Sequence, residues 1–419
     1  MAHPHENVQH VLGHLFRHEA GRMAAVLTRY LGAEHFEIAE DLVQDTLLKA
    51  METWPFHNMP ENPSAWLYKV AKNKAIDFIR AQQSESKNKE FFKLTIDKEF
   101  QEAFSEDEIK DSVLRMMFAC CHPAIPAESQ IALTLKTLGG LSNSEIAHAF
   151  LTNEEAIAKR IYRAKEKIRE AGIKLVPPDL FDLSFRLDSV LKVLYLIFNE
   201  GYYASEGQSL TRDDLCEEAM RLTYLLIQHR SINLPKVRAL MALMCLQASR
   251  LEARTNTAGD IILLEYQDRS KWNQPLIQKG LFFLEEASDG NEVSEYHVEA
   301  AIASVHALAA DFRNTKWGEL VILYNVLYTM NPNAMIALNR AIAIGFAQSP
   351  EIGIEELMKI DELQNHYLLL CALGTFYLLN QQMLLASQQF KKALPLTISN
   401  KEKELITRRL EECSLSVTF

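Results

Sequence analysis

The stretch LSNSEIAHAFLTNEEAIAKRIYRAKEKI, residues 141–168, contains two closely spaced helix-start signals. Ser142 with Glu145, and Thr152 with Glu155, each match S/T-x-x-E, in which a hydroxyl caps the first turn and the glutamate returns to the cap amide. Helix starts about ten residues apart leave room for only about two turns and a tight connection. The spacing therefore predicts a helix-turn-helix.

The second of these helices has an apolar side and a basic side. Ile157, Ile161, Ala164 and Ile168 recur at helical spacing, which predicts a buried stripe. The opposite surface fits a recognition helix in the major groove of DNA, with Arg and Lys on phosphates and residues near the helix start at base edges. A solvated charged helix is the alternative, because the same helix carries several glutamates. The candidate DNA contacts are Thr152, Ala158, Lys159, Arg160, Tyr162, Arg163 and Lys167.

Composition limits the class of protein. The 419 residues are enough for two or three domains, and 48% hydrophobic with 24% charged residues is typical of a soluble protein. No apolar run approaches a membrane span, and MAHPHENVQH does not resemble a signal peptide, so we expect a cytoplasmic protein. A net charge of −11 argues against non-specific coating of nucleic acid. Six cysteines predict no disulfide framework.

Helical periodicity dominates the chain, and no alternating β-branched run is convincing, so we predict an all-α fold. It comprises two small helical domains, the second a helix-turn-helix, and a larger C-terminal helical domain. Pro177 and Pro178 mark the boundary before the larger domain. The predicted limits are 8–82 for the first domain, 83–112 for a polar linker, 113–175 for the helix-turn-helix domain and 180–419 for the C-terminal domain.

The C-terminal domain contains a faint repeat of tetratricopeptide (TPR) type. In LLLCALGTFYLLNQQMLLASQQFKKAL, residues 368–394, small residues stand where two helices would cross and larger ones where they would fill the gaps. A weaker unit precedes it by about one repeat length. Generic antiparallel helices remain the alternative. The first unit uses Leu370, Leu373, Gly374, Tyr377, Ala386, Phe390 and Ala393, and the earlier one Ala341, Gly353, Leu357 and Ile360.

Two segments of the first domain carry a resemblance to a known family. AEDLVQDTLLKAMETWP, residues 39–55, and NPSAWLYKVAKNKAIDFIR, residues 62–80, closely resemble the second domain of bacterial extracytoplasmic-function (ECF) sigma factors. The helix-turn-helix resembles the fourth sigma domain, including its R-A-K pattern at Arg163-Ala164-Lys165. Two motifs in the family's order, joined by a linker of suitable length, make a specific signal.

The resemblance implies a protein that binds other macromolecules and catalyses no reaction itself. A sigma factor docks on core RNA polymerase, recognises two promoter elements and traps melted DNA. Acidic residues on the early helix would meet the basic clamp helices of the polymerase, and the following loop and helix would hold the −10 element. The implied polymerase contacts are Glu40, Asp41, Gln44 and Asp45; the implied −10 contacts are Asn58, Asn62, Trp66, Lys69, Lys72, Asn73 and Arg80, with core packing equally compatible for Trp66. The helix-turn-helix would read the −35 element, where Ala158 replaces a polar side chain common in related factors.

The resemblance extends to the C-terminal half. CCHPAIPAESQIALTLKTLGGLS (120–142), LIFNEGYYASEG (196–207), YQDRSKW (266–272) and AAIASVHA (300–307) are similar to signatures of a sigma subgroup with a long helical extension. We hypothesise that this extension regulates the sigma domains in the same chain, and that its TPR-like end receives a protein partner. Whether it activates or inhibits is open. The candidate regulatory motif is Asn199, Glu200, Gly201, Tyr202 and Tyr203, although Gly201 could simply end a helix.

Two other functions compete with this interpretation. A one-component helix-turn-helix regulator would bind operator DNA without polymerase, but leaves residues 39–80 unexplained. A TPR-type scaffold accounts for the C-terminus alone. An enzyme is not expected, since the sequence has no phosphate loop, nucleophile elbow or metalloprotease motif, and we predict no cofactor, metal or membrane partner.

Overall fold

The fold is helical throughout. A computed structural model describes residues 4–57, 59–82, 103–150, 152–176, 180–202, 212–256, 259–397 and 400–415. It is 78% helical, with 18 α-helices and no strand within these ranges, which confirms the all-α prediction. None of the helices in the described part is long and apolar enough to cross a membrane. The chain forms two compact units that divide between Ile197 and Phe198.

The first unit begins with three helices: α1 (Pro4–Leu31), α2 (Phe36–His57) and α3 (Pro63–Gln82). Asn62 starts α3, since its Oδ1 accepts a hydrogen bond from Ala65 N at 3.0 Å and Pro63 supplies the fixed φ suited to a first helical residue. The apolar sides of the three helices share one core that includes Leu27, Trp54 and Leu67. Burial of this core fixes the directions in which the polar sides of α2 and α3 face.

Four helices follow: α4 (Glu106–Cys120), α5 (Ala127–Thr137), α6 (Asn143–Ala149) and α7 (Glu154–Glu170). Ser105 caps α4 by accepting from Glu108 N, so this helix begins inside the segment 83–112 that we expected to be a linker. A fifth helix, α8 (Leu180–Tyr202), contains the division between the two units. Within the first unit, Arg186 of α8 donates to the carbonyl of Phe118 at 2.9 Å.

The second unit is built from ten further helices in its described part. Small residues set the packing of its last hairpins: a side chain at Gly374 would meet the ring of Phe390 at 2.7 Å, and one at Gly345 would meet Phe376 at 2.4 Å. The Gly374–Phe390 contact is the small-against-large packing that the repeat predicts, whereas Gly345 and Phe376 were not among the predicted positions. The helices are α9 (Asp213–Gln228), α10 (Pro235–Ala248), α11 (Gln274–Ala287), α12 (Glu295–Leu308), α13 (Trp317–Met330), α14 (Ala334–Ala347), α15 (Pro350–Met358), α16 (Tyr367–Leu379), α17 (Met383–Ala393) and α18 (Asn400–Leu415).

Candidate nucleic-acid and polymerase interface

The helix-turn-helix consists of α6 and α7, and its two starts differ in chemistry. Ser142 and Glu145 form the predicted capping box, with Glu145 N donating to Ser142 Oγ at 3.1 Å and Ser142 N donating to Glu145 Oε2 at 2.7 Å. The predicted cap at Thr152 is wrong. Asn153 caps α7, its Oδ1 accepting from Ala156 N at 2.8 Å, because it directly precedes the helix and asparagine is at least as good a cap as threonine. Thr152 lies in the turn, where its N–H donates to the carbonyl of Ala147.

The α7 helix presents a basic side to solvent. Its predicted stripe of Ile157, Ile161, Ala164 and Ile168 is buried, which confirms the inward face. On the opposite side Tyr162 is 57% exposed, and the side chains of Lys159, Arg163 and Lys167 are exposed as well. Ala158 is half-buried. The exposed cations can therefore reach phosphates without disturbing the core of the domain.

Arg160 on α7 forms an ion pair with another helix of the domain. Its Nη2 lies 2.7 Å from Oε2 of Glu128 on α5. The guanidinium therefore joins two helices of the domain in this conformation. A phosphate contact by Arg160 would have to replace this ion pair, whereas Arg163 forms no ion pair with any residue that the structure describes.

A further ion pair joins the recognition helix to the predicted polymerase-contacting helix. Lys165 Nζ lies 2.6 Å from Glu40 Oε2, with only 13% and 21% of the two side chains exposed, and it also sits 5.0 Å from the ring centroid of Phe36. Glu40 is thus paired in this conformation, and the sequence alone gave no sign of it. A polymerase contact through Glu40 requires that α7 release it.

The rest of the predicted polymerase contacts lie on an exposed side of α2. Asp41, Gln44 and Asp45 are exposed, and Asp45 pairs with Lys74 at 3.1 Å. Two apolar residues on the same helix, Leu48 and Met51, are 55% and 62% exposed. Sequence analysis missed both, although Leu48 follows Asp41 by two helical turns and so belongs to its face. The surface combines acidic and apolar side chains.

The predicted −10 contacts on α3 fall into exposed and structural groups. Lys69, Asn73 and Arg80 are exposed, and Lys72 is half-buried. Trp66 packs edge-on against Trp54 at 5.5 Å between ring centroids, which favours a role in the core. Asn62 serves as the helix cap described above. Asn58 lies outside the described residues.

The domain that contains the helix-turn-helix, helices α4 to α7, packs against α1 within the first unit. Arg17 Nη2 contacts Glu145 Oε1 at 2.6 Å, and Arg29 Nη1 contacts Asp111 Oδ2 at 2.9 Å. The backbones also approach closely: a side chain at Gly21 would meet the carbonyl of Leu138 at 2.3 Å. Ion pairs and small residues therefore hold the two predicted sigma domains together in this conformation.

Sequence analysis also missed a buried carboxylate under α3. Glu19, 3% exposed, accepts hydrogen bonds from Ser64 Oγ at 2.9 Å and from the hydroxyl of Tyr68, and Arg22 lies 3.6 Å away. Burial acts to raise the pKa of Glu19, but hydrogen bonds from His18, Tyr68 and Ser64, together with the charge of Arg22, hold that pKa below its usual value. The ionised carboxylate therefore ties α1 to α3.

The regulatory motif differs from the expected helix end. Asn199 and Glu200 are half-buried, and α8 continues through Gly201 to Tyr202. Gly201 allows close packing, because a side chain there would meet the carbonyl of Arg212 at 2.8 Å. Tyr202 is buried, and the guanidinium of Arg254 lies 3.9 Å from its ring centroid. Tyr203 lies outside the described residues.

Comparison with known proteins matches both predicted sigma domains. The chain matches Sigma-70 region 2 over residues 15–85 and Sigma-70, region 4 over residues 115–168. A family of unknown function, DUF6596, matches residues 186–288. These matches define a sigma-70-type transcription factor with an added C-terminal domain.

Individual relatives refine the class. RNA polymerase sigma factor SigV of Bacillus subtilis is 30% identical over 34% of this chain and 78% of its own length. The ECF RNA polymerase sigma-E factor of Haemophilus influenzae is 29% identical over 35% of this chain and 79% of its own. An uncharacterized protein of Rhizobium meliloti is 37% identical over 81% of both chains. The chain belongs to the ECF family of RNA polymerase sigma factors. No solved structure matches it.

Proposed function

We propose that the chain docks on core RNA polymerase and directs initiation at promoters that it recognises through two elements. The observation that carries this proposal is the exposed basic side of α7 opposite its buried stripe, in a chain of the ECF family. On this basis the −35 element is read by the start of α7, including Lys159 and Tyr162, while Arg163 and Lys167 hold phosphates. The protein itself performs no catalysis.

Polymerase docking is assigned to the exposed side of α2. The carboxylates of Asp41 and Asp45 orient the approach to a basic partner, and Leu48 and Met51 supply apolar area for the centre of the interface. Glu40 joins this surface once Lys165 has released it. Region 2 and region 4, predicted as 8–82 and 113–175, then engage polymerase and promoter together.

The −10 element is assigned to α3 and the loop before it. Unpairing an A·T step costs little free energy, so a base there is easily flipped out of the duplex. Lys69, Asn73 and Arg80 offer charge and hydrogen bonds to the exposed strand. Trp66 supports this surface by its packing on Trp54.

The net charge of −11 is compatible with promoter binding by a polymerase subunit. Neither module needs high affinity for free DNA, because polymerase holds both at once and raises their effective concentration. The same partners place the protein in the cytoplasm. The C-terminal domain, predicted as 180–419, regulates this activity within the chain, and its TPR-like helices are where a partner protein would bind.

Charge reversal on α2 tests the docking assignment. Asp41→Lys with Asp45→Lys should weaken binding to core polymerase at least about tenfold. The two carboxylates are proposed to face a basic surface, which would repel the lysines that replace them. The matched control is Glu355→Lys with Glu362→Lys, which makes the same change of net charge on exposed residues of the second unit. Equal losses in both variants, or none in either, would reject α2 as the contact. Tight promoter binding without core polymerase would instead indicate a one-component regulator.

A further inference from the structure

Two sequence signatures of the C-terminal unit meet around one cluster of nitrogen atoms. YQDRSKW supplies Arg269 and Trp272, and AAIASVHA supplies His306 at the end of α12. Arg250 joins them from the turn after α10. None of these residues has a part in the proposed contacts with polymerase or promoter.

Arg269 is held in place from two directions. Its Nη1 donates to the carbonyl of His306 at 3.1 Å, and its guanidinium lies 3.9 Å from the ring centroid of Trp272. The guanidinium of Arg250 lies 5.0 Å from the same ring centroid. Two positive groups therefore share one indole, which is 2% exposed.

Four further side-chain nitrogens of the cluster have no hydrogen-bond partner within the described part of the chain. They are Nε and Nη2 of Arg269, Nε1 of Trp272 and Nδ1 of His306, and all four atoms are buried. Nε and Nη2 form the side of the guanidinium that binds a carboxylate or phosphate through two parallel hydrogen bonds. Arg269 thus uses Nη1 to hold its own position. Its Nε and Nη2 edge remains available for a bidentate contact with an anion.

Two acidic residues close to the cluster in sequence, Asp268 and Asp311, accept hydrogen bonds from groups outside it. Asp268 accepts from Ser270 N at 2.9 Å and from Ser270 Oγ at 2.7 Å. Asp311 accepts from Asn314 N and Nδ2, both at 2.9 Å. Arg250 Nε donates to the neutral amide oxygen of Gln267 at 3.4 Å. Buried charge of this kind is costly unless an anion accompanies it.

The titration of the cluster agrees with a surplus of positive charge. Burial, followed by the charge of Arg250, lowers the pKa of Arg269 to about 10, against a smaller opposing effect of Asp311. Burial, followed by the charges of Arg250 and Arg269, lowers the pKa of His306 to about 3. At neutral pH the imidazole is therefore uncharged while Arg269 keeps its charge.

We propose that this cluster, the Arg269 site, binds the oxyanion group of a small molecule, a carboxylate or a phosphate, on the Nε and Nη2 edge of Arg269. Trp272 Nε1 and a His306 ring nitrogen, which also have no hydrogen-bond partner in the described part of the chain, would add hydrogen bonds, and Arg250 adds charge. Because the donors are shielded from water, the surrounding side chains must move when the anion enters. The proposal does not depend on the sigma function, but it offers that function a small-molecule input.

The indole N–H resonances of the full-length protein provide the test. The four tryptophans give four such signals, and Trp272→Phe identifies the one from Trp272 while preserving an aromatic ring beside the arginines. Sodium phosphate and sodium succinate are titrated separately at constant ionic strength, with sodium chloride as the blank. We expect a saturable shift of the Trp272 signal with at least one of the two anions, and the anion that acts identifies the ligand class.

Two variants establish that the shift reports Arg269. Arg269→Lys keeps the charge but loses the bidentate edge, so affinity should fall at least about tenfold. Lys271→Gln removes an exposed cation from the single-turn 3-10 helix Arg269–Lys271 and should leave affinity unchanged. Calorimetric titration of the same variants gives the affinities, and Trp272→Phe serves as the binding variant if Arg269→Lys does not fold. Absence of a saturable shift at tens of millimolar anion, or equal affinity in wild type and the folded variant, would overturn the proposal.

Discussion

At the scale of single residues, Glu19 shows how a buried charge can be retained. Its folded-state pKa lies below the unfolded value, so the ionised form stabilises the folded chain fully above about pH 4.3. That contribution is lost as the pH falls through the folded pKa. The pKa is lowered by hydrogen bonds from His18, Tyr68 and Ser64 and by the charge of Arg22, which together outweigh the effect of burial.

We therefore expect Glu19→Gln to lower the free energy of unfolding by about 1–3 kcal/mol at neutral pH, since an amide leaves donors poorly matched. The variant should also lose less stability than wild type when the pH is lowered to about 4. Urea unfolding followed by circular dichroism measures both effects. Glu61→Gln, an exposed residue of the same module, is the control; an equal effect in the two variants would contradict the account.

The cations of α7 differ in whether they must break an ion pair in order to bind DNA. Arg163 is exposed, whereas Arg160 is paired with Glu128. We expect Arg163→Ala to weaken promoter complexes with polymerase and to reduce the slope of log K against log salt by about one unit. Arg160→Ala should reduce that slope less and should also destabilise the packing of α5 on α7.

Arg169→Ala is the matched control for Arg163→Ala, because Arg169 is exposed in the last turn of the same helix and outside the predicted contacts. Lys159→Ala and Tyr162→Ala should change the preference among −35 sequences instead. Filter binding across a salt series measures the slope. If Arg163→Ala and Arg169→Ala are indistinguishable at every salt concentration, the recognition surface is wrongly assigned.

At the scale of elements, the contact of α1 with the end of α5 depends on the absence of a side chain at Gly21. A methyl group at Gly21 would meet the Leu138 carbonyl at 2.3 Å. Gly21→Ala should lower the free energy of unfolding by about 1–3 kcal/mol, because overpacking exceeds the gain in helix propensity. Gly318→Ala, with nothing within 4 Å, should be neutral or stabilising. Thermal unfolding of both variants decides the point, and a stabilised Gly21→Ala would contradict the close approach.

Local signals made some elements predictable from the sequence. The capping box of Ser142 and Glu145, the buried stripe of α7 and the Gly374 to Phe390 packing all depend on residues within about a helical hairpin of one another. The choice of Asn153 over Thr152 was not predictable in this way, because the side chains of both adjacent residues can cap a helix.

Contacts between residues far apart in the sequence could not be predicted from it. Lys165 and Glu40 are 125 residues apart, and nothing in their local patterns links them. The Arg269 site is distributed over three segments for the same reason. Gly201 shows the reverse error, since a glycine that resembled a helix end provides space for the next helix. Pairing between distant segments is decided by tertiary packing, which periodicity alone does not report.

At the scale of the whole molecule, the C-terminal domain is more than a minimal sigma factor needs. A truncation to test its role should retain α8, because Arg186 contributes a hydrogen bond to the first unit. We expect the chain ending at Tyr202 to remain soluble but to have an altered transcription activity. If the extension also orders the sigma domains, that activity should be lost and not raised. Run-off output is compared at equal occupancy of core polymerase, and identical output would leave the extension without a regulatory role.

The most direct test of the central claim is initiation by reconstituted polymerase. Core enzyme is incubated with fragmented chromosomal DNA from the source organism, with and without the full-length protein, and the 5′ ends of the transcripts are mapped. We predict start sites that appear only when the protein is present, share two sequence elements upstream, and are lost with the Asp41→Lys, Asp45→Lys variant. Start sites that are the same with and without the protein would contradict its assignment as a sigma factor.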